Sequence, residues 1–274
     1  MELYCVSVML SLCTFVSHTS SAPPSPFPHK VHARGQAIHF DIPTTWASSG
    51  AASDSPEDDA RRCGLLGHKL NKLLPADVLL WNVSAAPRRS GLVDGDLELP
   101  WHAMIASTGK LYSYRWRCAR HMSPLDRRDR ALWYKGGFDV DRLEACLPRF
   151  EGTRDFASFA NRLAHTQAIR DRSSSGAAGP MDTRRTVRSI KLVREGCGGG
   201  GSPGAEDYRL DFELDGALYK MVRNIVGAMF EVSTGELNLD DIDEIFAHQD
   251  RRLNPSRAAP AAGLTLEHVY YDDF

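Results

Sequence analysis

Residues 218–232, LYKMVRNIVGAMFEV, constrain the fold of this chain more than any other segment. Leu218, Met221, Val222, Ile225, Val226, Met229 and Phe230 recur at i, i+3, i+4 and i+7, the spacing of one helical face. A face this apolar needs a second layer of structure laid over it, so the chain must fold in layers around this helix. Arg223 sits within the segment. By pattern alone it reads equally well as an arginine snorkelling to the surface and as a buried functional group. Gly227, four residues on, marks either a plain packing glycine or a place where another backbone comes close.

Period-two alternation marks six strands, at residues 36–41, 77–84, 110–118, 186–193, 208–214 and 265–271. Along 110–118, Tyr112, Tyr114, Trp116 and Cys118 share one face, and Arg115 and Arg117 take the other. Further helices are expected over 59–74, with Leu66, Leu70, Leu73 and Leu74 as the stripe, and over 140–150 and 238–249. In the last of these Asn238 is a cap, and Asp240 and Asp241 suit the positive end of the helix dipole. Intermixed strands and helices of this kind give an α+β class, with mostly antiparallel sheets covered by helices.

Between the patterned segments lie low-complexity stretches at 47–60, 172–180 and 196–207, rich in Gly, Ser, Pro and acid, which read as flexible inserts. The six cysteines (Cys5, Cys13, Cys63, Cys118, Cys146, Cys197) form no C-x-x-C pair and no cluster with His, which argues against a disulfide framework and a zinc site and fits reduced, intracellular surroundings.

The first thirty residues are of another kind. Residues 1–16, MELYCVSVMLSLCTFV, are an apolar run of signal-peptide length, but Glu2 stands where a basic residue is expected. The run is too short to span a membrane as a helix. The following SAPPSPFPHK has no periodicity, and its Ser, Pro and Phe are all encodable by pyrimidine-only codons, so residues 1–30 are expected to be a leader or a gene-model artefact.

The 33 Lys and Arg against 35 Asp and Glu leave a formal net charge of -2, which argues against a protein coated in basic residues. The distribution is uneven. Residues 110–135 carry Lys110, Arg115, Arg117, Arg120, Arg127, Arg128, Arg130 and Lys135 against Asp126 and Asp129. Residues 231–250 carry seven acids and no Lys or Arg. A second basic cluster comprises Arg184, Arg185, Arg188, Lys191 and Arg194. Such runs are solvated faces or phosphate-tracking stripes.

Several strings, read in order, resemble the tRNA pseudouridine synthase A family. They are Val31-His32-Ala33-Arg34-Gly35-Gln36 with His39-Phe40-Asp41; Leu70-Asn71, Leu74-Pro75 and Asp77-Val78; His102-Ala103 followed by Tyr112-Ser113-Tyr114; Gly152, Asp155-Phe156 and Ser158-Phe159; Met221 to Gly227; and Ala259-Pro260-Ala261, Gly263-Leu264 and Val269-Tyr270-Tyr271. The resemblance runs from Val31 to the C-terminus. It implies two α/β halves flanking a basic cleft, here residues 31–118 and 119–274. It also implies a homodimer that isomerises uridine to pseudouridine in tRNA, with the anticodon stem-loop as the closest likeness, and needs no metal, cofactor or membrane. By resemblance Tyr112 contacts the target base, whose flipped ring an aromatic face can hold while it rotates. Arg223 pairs with the catalytic aspartate, and Arg34, Lys110, Arg115 and Arg117 contact the RNA backbone.

One departure outweighs the matches. Before its Val-His-Ala the family carries Gly-Arg-Thr-Asp-Ala-Gly, whose aspartate is the nucleophile. Here the stretch is Ser25-Pro26-Phe27-Pro28-His29-Lys30, with Pro28 in the aspartate's slot. The family's first strand is also unmatched upstream, and Met104 stands where the family prefers Arg after His-Ala. The chain as written is therefore expected to be inactive and poorly stable. An alternative is a catalytically inactive relative that still binds tRNA.

Overall fold

A computed structural model describes residues 3–12, 31–43, 56–86, 93–94, 97–98, 101–133, 136–173, 179–196 and 204–272. The chain divides into two compact units, Met1–Lys110 with Thr265–Phe274, and Leu111–Leu264. The boundary thus lies eight residues earlier than the sequence reading placed it, and the C-terminal strand goes with the first unit.

The first unit holds β1 (Leu3–Leu12), β2 (His32–Pro43), α1 (Pro56–Asn71), β3 (Val78–Ala85), a two-residue ladder of β4 (Val93–Asp94) and β5 (Leu97–Glu98), and all but the first residue of the last strand of the chain, Leu264–Tyr270. Its strands run in the order β3, β1, β2, then that last strand. β1 is antiparallel to both neighbours, pairing Val6 with Phe40 of β2 and Val8 with Val83 of β3. A strand thus stands upstream of β2 within the stretch that the sequence reading gives as a leader or gene-model artefact. Residues 3–12 pair with β2 and β3, and a short apolar run without alternation is consistent with a strand as well as with the apolar segment of a signal peptide.

On α1, Gly67 meets β3 so closely that a Cβ there would lie 2.9 Å from Val83 Cγ2. The Asn71 amide, at the C-terminal end of α1, donates to the carbonyl of Leu80 and accepts from its N–H, each at 2.8 Å. A side chain thereby supplies what a further strand would, and blunts the edge of the sheet.

The second unit holds the rest of β6 (Gly109–Cys118), then β7 (Ala131–Trp133), α2 (Val140–Cys146), β8 (Gly152–Asp155), α3 (Leu163–Ser173), β9 (Arg184–Arg194), β10 (Glu206–Leu214), α4 (Met221–Thr234) and α5 (Leu239–His248); Leu264–Tyr270 is β11. Strand order here is β6, β10, β9, β8, with β7 parallel to β6. The β9–β10 and β8–β9 pairs are antiparallel, and the α+β class with mostly antiparallel sheets holds. All six strands expected from alternation are present. The 140–150 helix is α-helical only to Cys146 and then tightens into a 3₁₀ turn, Leu147–Arg149, with Pro148 at its start. Asn238 caps α5 as expected, in a full capping box with Asp241.

The core of this unit forms where α4 lies on the strands. Phe230 meets Tyr114 at 5.9 Å, Trp116 at 5.2 Å and Trp133 at 5.2 Å between ring centroids. Offset and edge-on aromatic packing of this kind dominates the burial that holds such a layer together. Among the described residues no helix is long and apolar enough to cross a membrane.

Candidate active site

Helix α4 begins abruptly. Its cap residue is Lys220, in the left-handed conformation with φ 63° and no side-chain hydrogen bond to the first turn. Arg223, in the first turn, is half-buried, while every other residue from Met221 to Phe230 is buried. Its Nε donates to the carbonyl oxygen of Ala259 at 2.7 Å, and the N–H of Ala259 donates to the Arg223 carbonyl at 2.9 Å. Residue 259 is therefore latched at both of its backbone polar groups by one residue of α4.

This latch exists because Gly227 has no side chain. A Cβ on Gly227 would stand 1.8 Å from the carbonyl oxygen of Arg257, so the 257–259 segment crosses α4 where only glycine fits. Of the two sequence readings of Gly227, close backbone approach is the one observed.

Burial lowers the pKa of the Arg223 guanidinium, partly offset by the nearby Tyr114 and Tyr219 hydroxyls. No carboxylate pairs with Arg223 among the described residues. A half-desolvated guanidinium with its Nε engaged keeps its two Nη nitrogens for an anion, and this is the geometry that would aim a carboxylate or a phosphate.

Of the two tyrosines on β6, Tyr114 is core. It is 0% exposed, its hydroxyl donates to the Pro260 carbonyl at 3.0 Å, and Gly263 approaches its ring so closely that a Cβ there would lie 2.8 Å from Tyr114 Cζ. Tyr112 is half-buried, and burial pushes its phenol up to about 12. At neutral pH it is a protonated phenol and no base; what it can offer a nucleobase is its ring face and a hydroxyl donor.

The expected backbone-binding arginines fare differently. Arg34 is exposed and lies 3.5 Å from Glu267, an ion pair of the first unit. Lys110 is half-buried at the end of that unit. Arg115 is half-buried, with Nη1 donating to Ser113 at 2.7 Å and Nε 3.4 Å from Glu195. Arg117 is not placed to meet RNA. It is 3% exposed, and its Nε and Nη2 grip both oxygens of Asp207 at 2.6 and 2.7 Å while Nη1 holds Asp126 at 2.7 Å.

Arg130 adds a third contact to Asp207 at 2.7 Å. Burial alone would raise the Asp207 pKa, but the hydrogen bond from Arg117 and the charges of Arg130 and Arg117 outweigh it and hold the carboxyl below its usual range. The charge count over 110–135 therefore overstated the basic stripe, because Asp207 and Glu195, from distant parts of the sequence, neutralise three of its arginines. Arg120, Arg127 and Arg128 remain exposed, and Lys135 lies outside the described residues. On β9, Arg184, Arg188, Lys191 and Arg194 are all exposed.

Among the described residues Cys63, Cys118 and Cys146 are free thiols, and no group of three or more His, Cys, Asp or Glu stands together as a metal site.

The sequence comparisons agree on one family. A family model described as tRNA pseudouridine synthase matches residues 147–272. The tRNA pseudouridine synthase A 1 of Protochlamydia amoebophila is 31% identical over 244 residues, covering 89% of this chain and 76% of its own length. Enzymes named tRNA pseudouridine synthase A from Oleidesulfovibrio alaskensis (32% over 252 residues, 89% and 75%) and Latilactobacillus sakei (30% over 247 residues, 88% and 77%) match to the same extent. The chain belongs to the tRNA pseudouridine synthase A family.

Chemically, a latched arginine such as Arg223 can orient an anion, and a neutral aromatic such as Tyr112 can receive a base. Pro28, in the slot of the family's aspartate, lies outside the described residues. Two participants escaped the sequence reading. Asp207 and Ala259 carry no motif of their own, although Ala259 opens the Ala-Pro-Ala string; what distinguishes them is a partner 90 and 36 residues away in the chain.

Proposed function

We propose that this site takes up a uridine of tRNA, at the place where the synthase family isomerises it, and that the region engaged is the anticodon stem-loop. The observation that carries the reading is Arg223, which is desolvated, fixed through Nε by Ala259, and left without a carboxylate among the described residues. A flipped uracil laid on Tyr112 would be shielded from water, and the exposed cations of β9 and of residues 120–128 would track phosphates largely by shape.

A second reading has its own support. Pro28 offers no carboxylate in the nucleophile's slot, so the chain as written binds tRNA without converting it. We extend the same family reading to a homodimer acting inside the cell, which sedimentation or light scattering on the purified chain tests for assembly.

The substrate reading is tested by titrating the chain against intact tRNA, an isolated anticodon stem-loop and an unrelated hairpin of equal length. Comparable affinity for the first two and weaker binding to the third supports it. Equal binding to all three at moderate salt contradicts it, because backbone charge alone would then explain the affinity.

A further inference from the structure

Three non-glycine residues adopt positive φ among those described: Arg162 at 58°, Lys220 at 63° and Gln249 at 50°. Gln249 is the C-cap of α5, an ordinary place for a left-handed residue. The other two are both cations, and they lie over one ring. Arg162 Cζ is 5.2 Å and Lys220 Nζ 5.8 Å from the centroid of Tyr219.

Glycine or asparagine would hold either backbone position at less cost, and Ser, Thr, Asp or Asn would cap α4 better than lysine does. Two local preferences are thus broken at the same spot in favour of positive charge, and such breaches mark places where function overrules stability. The two loops are also locked to each other. The N–H of Asn161 donates to the Tyr219 carbonyl at 2.9 Å, and Asn224 Nδ2 donates to Asn161 Oδ1 at 2.8 Å and to the Phe159 carbonyl at 2.6 Å.

Neither Arg162 nor Lys220 has an acidic partner among the described residues. In the same unit Arg115, Arg117, Arg130, Arg149 and Arg209 all pair with carboxylates. The two cations also stand at the N-terminal end of the 14-residue α4, whose first-turn N–H groups and dipole favour an anion, and Arg223 lies within electrostatic reach of the same Tyr219.

We propose that Arg162 and Lys220, braced on Tyr219, form a clamp for one phosphodiester of the RNA backbone, the one next to the nucleotide presented to Arg223. The clamp rests on the reading of this site as one that takes tRNA. Its anion is part of a polynucleotide: two cations splayed over a ring at a helix end suit a backbone phosphate passing across them, whereas a free anion needs enclosure.

The test is tRNA binding at several salt concentrations by the full chain and by Arg162→Gln, Lys220→Gln and Lys220→Gly, with melting temperatures measured in parallel. Each variant is expected to bind three- to tenfold more weakly at moderate salt and to lower the slope of log affinity against log salt by about one. Lys220→Gly separates the clamp from a structural role: it relieves the strained backbone, so its melting temperature should be equal or higher while its affinity falls as in Lys220→Gln.

Variants that bind with unchanged affinity and slope, while the parent chain binds tRNA, overturn the clamp and leave the tRNA reading standing. A parent chain that does not bind tRNA overturns both. Displacement of tRNA by inorganic phosphate beyond that caused by chloride at equal ionic strength identifies a free-anion site and also overturns the clamp.

Discussion

Arg223 and Ala259 hold each other twice, through Nε to carbonyl at 2.7 Å and through N–H to carbonyl at 2.9 Å. The first contact fixes a side chain of the helix and the second fixes the segment that crosses it. The orientation of the guanidinium is therefore inseparable from the path of residues 257–260, and that path depends on Gly227.

Gly227→Ala tests this dependence. A methyl group 1.8 Å from the Arg257 carbonyl oxygen cannot be absorbed by a rotamer change, so backbone must move. The expected cost is at the upper end of the roughly 1–3 kcal/mol typical of overpacking, read by urea unfolding. tRNA affinity should fall as well, because the displaced segment takes the Arg223 contact with it. A variant as stable as the parent shows that the crossing is loose.

Asp207→Asn tests the buried cluster. Arg117 and Arg130 would lose the buried carboxylate they share and keep only the more exposed Asp126 and Asp129, at a cost of up to about 3–5 kcal/mol for breaking a buried pair. The pH dependence has a fixed sign. The folded-state pKa of Asp207 is depressed, so its contribution is complete above the ordinary aspartate pKa of about 4 and is lost as pH falls through the lower folded value. Acid unfolding of the parent should therefore steepen below about pH 4, and the Asn variant should lack that component. Identical acid limbs contradict the assignment.

Asn224→Ala should cost roughly 1–3 kcal/mol, since a fully buried amide loses its bonds to Phe159 and Asn161 and leaves a carbonyl unsatisfied. Thermal melts check this. Because the same amide ties together the loops bearing Arg162 and Lys220, its loss should also weaken tRNA binding.

Tyr112 separates ring from hydroxyl. Tyr112→Phe keeps the stacking face and should bind tRNA within about twofold of the parent, whereas Tyr112→Ala should lose about tenfold, within the roughly 1–3 kcal/mol that stacking a base contributes. A burial-raised phenol at about 12 predicts no inflection in tRNA affinity from Tyr112 between pH 6 and 9. Equal binding by Phe and Ala variants removes Tyr112 from the interface.

What could be read from the sequence follows the range of the forces involved. Six strands and four helices announced themselves because alternation and the i, i+3, i+4 stripe are local. β7 and β8, three and four residues long, are too short for any period to register, and β1 hid because a short apolar run without alternation does not distinguish a strand from the apolar segment of a leader. The site divided along the same line. Arg223, Tyr112 and Gly227 stood in recognisable strings. The fate of Arg117 was illegible, since nothing near it in the chain foretells Asp207, 90 residues on, and a charge count cannot distinguish a solvated arginine from one neutralised in the core.

The proposal is that the site holds tRNA and that Pro28, in the nucleophile's slot, leaves the chain as written without turnover. The direct measurement is single-turnover release of tritium from tRNA labelled at uridine C5, with the 274-residue chain in excess over RNA and binding verified in the same tube. Carbon–carbon bond formation at C5 must expel that hydrogen. The account predicts bound tRNA and no release above the protein-free control; release of tritium with pseudouridine appearing in the RNA contradicts it and shows that another group supplies the nucleophile.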